Sequence, residues 1–232
     1  MTNTTKLLFP APRITTVPTT GDDLFPVRRI FCIGKNYADH IKEMGGALGE
    51  TQSVFFMKPT DSVICPTAKA PNVAYPPATT DLHYEAEIVL ALGSGGRNIS
   101  EADAMNHVYG VALGCDMTRR DLQFVARDSG APWDLAKAFD ESAVMGSIKP
   151  GNDLPADLSF ALSVNGEQRQ QTTVGKMMLS APAIIAKLSQ FFELKAGDLV
   201  YTGTPEGVGP LVRGDEVEIT GDGLPSLAFT VA

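Results

Sequence analysis

The segment His83-Tyr84-Glu85-Ala86-Glu87 runs directly into the apolar stretch Ile88-Val89-Leu90-Ala91-Leu92, and this junction constrains the fold more than any other part of the chain. An apolar run of this length reads as a buried strand. Side chains two apart on a strand share a face, so Glu85 and Glu87 project together from its end, where like charges repel. Buried without a partner, such a pair costs several kcal/mol or takes up a proton. A hard divalent cation resolves the conflict, because Mg²⁺, Mn²⁺ and Ca²⁺ take oxygen ligands. A second apolar run, Val108 to Cys115, ends at Asp116 and offers a third oxygen donor. The same residues also describe a solvated sheet edge; a metal site requires the third ligand and an open cavity.

The chain has 232 residues, 44% of them hydrophobic and 20% charged. That is enough apolar material for one sizeable core and too little charge for a disordered polymer. The net charge is −8, and no cluster of Lys and Arg is longer than Arg28-Arg29 or Arg119-Arg120. A nucleic-acid partner is therefore not expected, and an anionic ligand needs a local positive focus. Cys32, Cys65 and Cys115 are widely spaced in apolar surroundings and fit neither a zinc site nor a disulfide framework. Reduced thiols point to a cytoplasmic location. The N-terminus lacks a basic-then-apolar leader pattern, and no apolar run approaches about 18 residues, so no membrane partner is expected.

Residues 1–27 are rich in Thr and Pro and are expected to form an extended arm with one short strand, leaving 28–232 as one domain. Strands are expected over Arg28–Ile33, Val54–Met57, Glu85–Leu92, Val108–Cys115, Leu199–Thr202, Glu216–Ile219 and Leu227–Val231. Asn165-Gly166 between alternating residues marks a hairpin from Leu158 to Gln170. Helices are expected over Ala38–Met44, over 101–107, over Thr118–Ala126 with Thr118 as N-cap, and from Ser180 to about Phe192, where a Ser cap precedes Pro182. Residues 59–82 are proline-rich and read as coil with short extended pieces. Strands outnumber helices and do not alternate with them, which indicates an α+β, β-rich chain rather than a doubly wound sheet.

His40 and Glu43 are three apart on the short helix and share a face. A carboxylate beside an imidazole raises its basicity and orients its ring, as a general base acting on water requires; the same spacing also describes an exposed surface pair. Arg120 and Gln123 lie four and seven residues beyond Asp116. A helix beginning near Thr118 would turn them to the side of Asp116, where the planar fork of Arg120 suits a carboxylate or enolate oxygen. Lys58 sits at a strand end before Pro59 and reads as a substrate anchor or as the partner of an acidic ligand residue. Lys137, in an apolar stretch, is not expected to be buried alone; it snorkels to solvent or presents an ammonium to a reacting carbonyl. His83 is either a partner behind the carboxylates or a satisfied core histidine.

Taken in order, Cys32-Ile33-Gly34-Lys35-Asn36-Tyr37-Ala38-Asp39-His40, Phe56-Met57-Lys58-Pro59, His83-Tyr84-Glu85-Ala86-Glu87, Gly114-Cys115-Asp116-Met117-Thr118-Arg119-Arg120-Asp121-Leu122-Gln123, Trp133 with Ala136-Lys137-Ala138-Phe139-Asp140, Val164-Asn165-Gly166-Glu167 and Tyr201-Thr202-Gly203-Thr204-Pro205-Glu206-Gly207-Val208-Gly209 resemble the fumarylacetoacetate hydrolase family, in its small acylpyruvate hydrolase branch. The resemblance implies a mixed β-sheet rolled into a partly open barrel with peripheral helices, in a homodimer. It implies that Glu85, Glu87 and Asp116 bind Mg²⁺ or Mn²⁺, with Ca²⁺ as a possible substitute. It also implies that His40 and Glu43 form a catalytic dyad, that Lys137 stands near the reacting carbonyl, and that Thr204 lines the metal pocket.

The implied activity is hydrolysis of the carbon–carbon bond of a 2,4-dioxo acid, an acylpyruvate and specifically fumarylpyruvate, to pyruvate and a carboxylic acid. In it His40 and Glu43 activate water, Lys137 faces the developing oxyanion, and Arg120 and Gln123 hold the pyruvyl end. Decarboxylation or keto–enol tautomerisation of oxaloacetate-like acids is the alternative on the same chemistry. A non-catalytic metal- or ligand-binding protein on this fold is the alternative of another class, against which the His40–Glu43 pair argues. The short helix and Gly45, Gly46 and Gly49 are expected to make residues 38–52 a lid over bound substrate, with His40 far from the carboxylates in the free protein.

Overall fold

The structure, a computed structural model, describes residues 7–46 and 53–232. Gly49 and the end of the expected lid lie outside the described residues.

The central sheet runs in the spatial order Val54–Lys58, Arg29–Gly34, Asp198–Tyr201, Ala86–Leu92, Val108–Asp116, Ala143–Met145 and Val63–Ile64, with Lys149–Pro150 added beside Val108–Asp116. Most neighbours are antiparallel; Asp198–Tyr201 with Arg29–Gly34, and Ala143–Met145 with Val63–Ile64, are parallel. A second sheet, in the order Glu167–Thr173, Ser159–Val164, Glu216–Gly221, Leu227–Val231 and Asn72–Val73, is antiparallel except at its last pair. The strands curl into a half-barrel with few helices, as the mixed-sheet expectation required.

Both faces of the central sheet are covered. Ile88, Leu90, Val111 and Leu113 pack toward Phe160, Leu162, Val217 and Ile219 of the second sheet, while Val89, Ala91 and Ala112 face the opposite way with Ile30, Cys32, Leu199 and Tyr201. Two-sided burial explains why Ile88–Leu92 is apolar without alternation. The hairpin forms around Asn165 and Gly166, both at positive φ (52° and 77°), as a type I′ turn demands. Ser180 caps the Ala181–Phe191 helix by accepting from the Ala183 N–H.

Several expected boundaries are corrected. Residues 1–27 were expected to carry one short strand, but Thr16–Pro18 and Leu24–Pro26 pair as a hairpin whose Val17 and Phe25 enter the core. The helix expected over 101–107 is an α-turn at Glu101–Ala104 followed by a 3₁₀ turn at Met105–His107. Glu85 is not in the Ala86–Leu92 strand; it is the junction between that strand and Leu82–Tyr84, which belongs to a separate three-stranded sheet with Thr118–Arg119 and Gly209–Leu211. The helix expected from Thr118 begins at Arg120 and ends at Ser129, without a side-chain cap. Thr118 instead pairs with His83 as strand, and its hydroxyl is taken by a buried lysine. Among the described residues, no helix is long and apolar enough to cross a membrane.

Candidate active site

Register brings the three acidic residues together. Ala86 is paired with Cys115, and the Asp116 N–H donates to the Glu85 carbonyl at 2.9 Å, so Glu85 stands opposite Asp116; Glu87 pairs with Gly114, diagonally adjacent. All three are buried, and one ligand atom from each lies within 4.8 Å of the others. They line a cavity of about 310 Å³ together with His40, Arg120, Gln123, Lys137 and Thr204. Its other walls include Ile41, Met44, Phe56 and Trp133, which give it an apolar side. Phe56 and Gly34 reach it from the sheet edge, because Phe56 pairs with Cys32 on the strand that ends at Gly34.

Lys137 is buried and not snorkelling. It comes from the short Asp134–Lys137 helix and donates to Glu85 Oε2 (2.7 Å), Asp116 Oδ2 (2.8 Å) and Thr118 Oγ1 (2.6 Å). An ammonium has three protons, so these contacts use all of them. Burial works against its charge, but Asp116 and Glu85 outweigh burial and raise its pKa. Arg120 donates from Nη2 to Glu85 Oε1 at 2.6 Å and from Nη1 to Gln123 Oε1. Its Nε is buried with no acceptor among the described residues. Gln123 thereby keeps its amide NH₂ available to a ligand.

Lys58 does not line the cavity, which corrects its reading as a substrate anchor. It stands behind Asp116, with Nζ at 2.8 Å from Oδ1, and its hydrogen bonds go to the Lys137 carbonyl and, at 3.4 Å, to the Met117 carbonyl. Asp116 Oδ1 is therefore held beside a cation without a hydrogen-bond donor among the described residues.

The three carboxylates sit in unequal fields. Burial alone would raise Glu85, yet Lys137 and Arg120 hold it far below the usual carboxylate range. Glu87 is pushed up, first by burial and then by Asp116 and Glu85. Its one hydrogen-bond donor among the described residues is the Gly203 N–H, at 2.7 Å from Oε2. An all-oxygen donor set from three buried carboxylates, with a Glu87 that resists carrying charge alone, fits a hard divalent cation. Each oxygen that accepts a hydrogen bond retains a second lone pair.

In the same lining, His40 Nδ1 lies 3.2 Å from Glu43 Oε2. Glu43 stands behind it, outside the lining, and accepts from the Gly207 N–H at 3.0 Å. Burial raises the Glu43 carboxyl, but the His40 and Gly207 hydrogen bonds overcome this and lower it. An ionised acceptor places a proton on Nδ1, so in the neutral imidazole it is Nε2 that carries the lone pair. His40 thus lines the same cavity as the three carboxylates. His83 pairs with Asp81 at 2.9 Å and touches none of the three carboxylates.

Two supporting residues escaped the sequence. Gln170 accepts from the Ala86 N–H, between the two glutamates, and donates to Thr204 Oγ1 at 2.9 Å and to the Pro205 carbonyl at 3.0 Å. It leaves the Thr204 hydroxyl proton free to point elsewhere. Asn36 donates to the Leu179 and Thr202 carbonyls and accepts from the Leu179 N–H, tying the segment that enters the His40 helix to the Thr202–Thr204 turn. Gln170 had one faint signal: it is an inward-facing position of a strand that is otherwise charged and polar.

Residues 29–232 match the family model for the fumarylacetoacetate (FAA) hydrolase C-terminal domain. The chain is 41% identical over 202 residues to an oxaloacetate tautomerase of Escherichia coli (strain K12), covering 86% of this chain and 90% of that protein. It is 43% identical over 181 residues to a fumarylpyruvate hydrolase of a Ralstonia species, covering 78% and 93%. Its fold superposes on the crystal structure of fumarylpyruvate hydrolase from Pseudomonas aeruginosa in complex with Mn²⁺ and pyruvate, with a TM-score of 0.95, 42% identity, and 98% and 99% of the two chains covered.

Proposed function

The chain belongs to the fumarylacetoacetate hydrolase family and is an enzyme of that family, and we propose that it hydrolyses the carbon–carbon bond of a 2,4-dioxo acid, an acylpyruvate such as fumarylpyruvate, to pyruvate and a carboxylic acid. The observation that carries this reading is a cavity in which a buried carboxylate triad faces a histidine oriented by its own carboxylate. A non-catalytic binding protein has no use for that second feature.

Glu85, Glu87 and Asp116 would hold Mg²⁺ or Mn²⁺, as the Mn²⁺ and pyruvate of the Pseudomonas relative support. When bound, the cation supplies Lewis acidity toward the adjoining oxo and carboxylate oxygens of the substrate. The Arg120 guanidinium and the Gln123 amide, which both line the cavity, bind the pyruvyl carboxylate. Thr204, whose hydroxyl oxygen accepts from Gln170, lines the same cavity and offers its hydroxyl proton to the substrate. His40 Nε2 removes a proton from water, which adds to the distal carbonyl; the carbon–carbon bond then breaks, one fragment leaving as the acid and the other as pyruvate after it regains a proton. Lys137 acts through charge, not by donating to the oxyanion, because its three protons are committed to Glu85, Asp116 and Thr118. Ile41, Met44, Phe56 and Trp133 receive the acyl arm and limit water.

The second reading is tautomerisation or decarboxylation of oxaloacetate-like acids, supported by the identity to the E. coli tautomerase. The volume of about 310 Å³ and its apolar wall favour the longer acylpyruvate. The decisive measurement follows ultraviolet loss of acylpyruvate and formation of pyruvate with Mn²⁺ or Mg²⁺, with oxaloacetate run in parallel. His40→Ala should lower hydrolytic turnover by about 10²–10⁴-fold with Mn²⁺ affinity retained. Turnover of oxaloacetate alone would establish the second reading, and full hydrolysis by His40→Ala would remove His40 as the base. We also propose that the protein works as a homodimer, which the family resemblance supports, and in the cytoplasm, which its three free cysteines support.

A further inference from the structure

The Arg120–Ser129 helix turns Arg120, Gln123 and Arg127 toward the cavity. They are spaced i, i+3, i+7, which is one helical face. At 1.5 Å per residue the Arg127 Cα stands about 10 Å farther along the axis than that of Arg120. Arg120 is anchored beside Glu85 at the carboxylate end. Arg127 lines the same cavity farther along the helix and reaches the Met44 carbonyl, with Gly45, Gly46, Ile41 and Trp133 also in the lining.

The cationic group of Arg127 is held in place without being neutralised in a buried pair. Its guanidinium lies over the Phe124 ring at 4.9 Å. Nε donates to Asp128 Oδ1 at 3.0 Å, an adjacent residue whose side chain is 69% exposed. Nη1 reaches the Met44 carbonyl at a long 3.4 Å. None of its hydrogen bonds among the described residues uses Nη2. An exposed pair such as Arg127–Asp128 contributes little and is readily exchanged for a ligand. The cavity lining therefore holds two guanidinium groups seven residues apart on one helix face, with apolar side chains in the same lining.

From this we infer that Arg127 binds a second carboxylate, at the far end of the acyl arm, and so selects acylpyruvates whose arm ends in an acid. The inference rests on the acylpyruvate reading and deepens it. In an extended seven-carbon diacid the two carboxylate carbons are about 7–8 Å apart, from bonds of about 1.5 Å at tetrahedral angles. Such a molecule lying along the helix face reaches both arginines. A four-carbon diacid, spanning about 4 Å on the same geometry, reaches only one. Arg127 thus discriminates by length and by charge at once, whereas the apolar wall does not read charge.

The test uses the full chain loaded with Mn²⁺ and two probes that are not cleaved, 2-oxopimelate and 2-oxoheptanoate, equal in length and differing in the terminal carboxylate. Calorimetric titration should show that wild-type protein prefers the diacid, and that Arg127→Met reduces that preference about 10- to 100-fold, the worth of a charge-assisted hydrogen bond. Arg127→Lys should restore part of it. Met keeps the length of the stem, so lost packing affects both probes alike. In turnover, the loss should fall on KM for fumarylpyruvate and leave kcat within a few-fold. An unchanged preference in Arg127→Met, or an equal loss for both probes, would overturn the inference. If binding behaves as expected while no acylpyruvate is cleaved, the subsite stands and the hydrolase reading fails.

Discussion

Lys137 shows how much a single side chain carries here. Its ammonium lies between Glu85 and Asp116, so removing it leaves two buried carboxylates facing each other. Lys137→Met should cost about 3–5 kcal/mol of stability in EDTA, the usual consequence of breaking a buried pair. Mn²⁺ should restore part of that loss, measured by urea denaturation with and without the metal. Glu87 gives a second expectation, with opposite sign to Glu85. Its pKa is raised in the folded protein, first by burial and then by its acidic neighbours. Its contribution to stability is therefore full below the ordinary carboxylate range and is lost as pH rises through the raised value. The depressed Glu85 contributes above the ordinary range and loses its contribution as pH falls. In EDTA, Tm should decline as pH rises above the carboxylate range, and saturating Mn²⁺ should abolish that decline. A Tm profile in that window identical with and without Mn²⁺ would contradict both the raised carboxyl and its role as a ligand.

At the scale of elements, the site is an assembly of strand ends and turns. The Thr202–Thr204 turn fastens Glu87 through the Gly203 N–H, and it does so from a backbone at φ +96°. A Cβ at Gly203 would lie 2.8 Å from Asn36 Cβ and 3.1 Å from the Ile33 carbonyl. Gly203→Ala should cost about 1–3 kcal/mol and also weaken Mn²⁺ binding by displacing the N–H. Gly151 is the control, since it has φ +125° with nothing within 4 Å. Gly151→Ala should show strain without loss of metal affinity, as read by denaturation and Mn²⁺ titration. The hairpin at Asn165-Gly166 and the helix from Ser180 were legible because local turn and cap chemistry fixes them. The start of the Arg120 helix was not legible. Thr118 is a good N-cap by type, but the demand of a buried ammonium for acceptors overrode that preference.

For the whole molecule, the open question is assembly. The large apolar side chains exposed among the described residues concentrate near the N-terminus, with Leu7, Leu8, Phe9, Ile14 and Leu24 all more than half exposed, and fewer lie in the strand-rich C-terminal part. A homodimer is therefore expected to cover the N-terminal segment as well as the C-terminal half. Light scattering should give twice the 24.7 kDa chain mass at micromolar concentration. Leu8→Lys with Phe9→Lys should shift the protein toward monomer. A wild-type protein that is monomeric across that range would refute the dimer.

The sequence by itself determined the local and the compositional. A strand apolar at every position requires cover on both faces, paired carboxylates require solvent, a proton or a cation, and Asn-Gly requires a tight turn; each follows from one short stretch and ordinary solvation physics. It also carried enough ordered motifs to indicate the family. Only the tertiary structure decided the partners across distance. Residue spacing could not show that Lys58 stands behind Asp116 and not in the cavity, that Lys137 commits every proton, or that Gln170 and Asn36 brace the site from other strands and turns. Those assignments arise because a buried polar group must find its partner wherever the fold brings one within about 3 Å, and such partners come from segments that are remote in sequence.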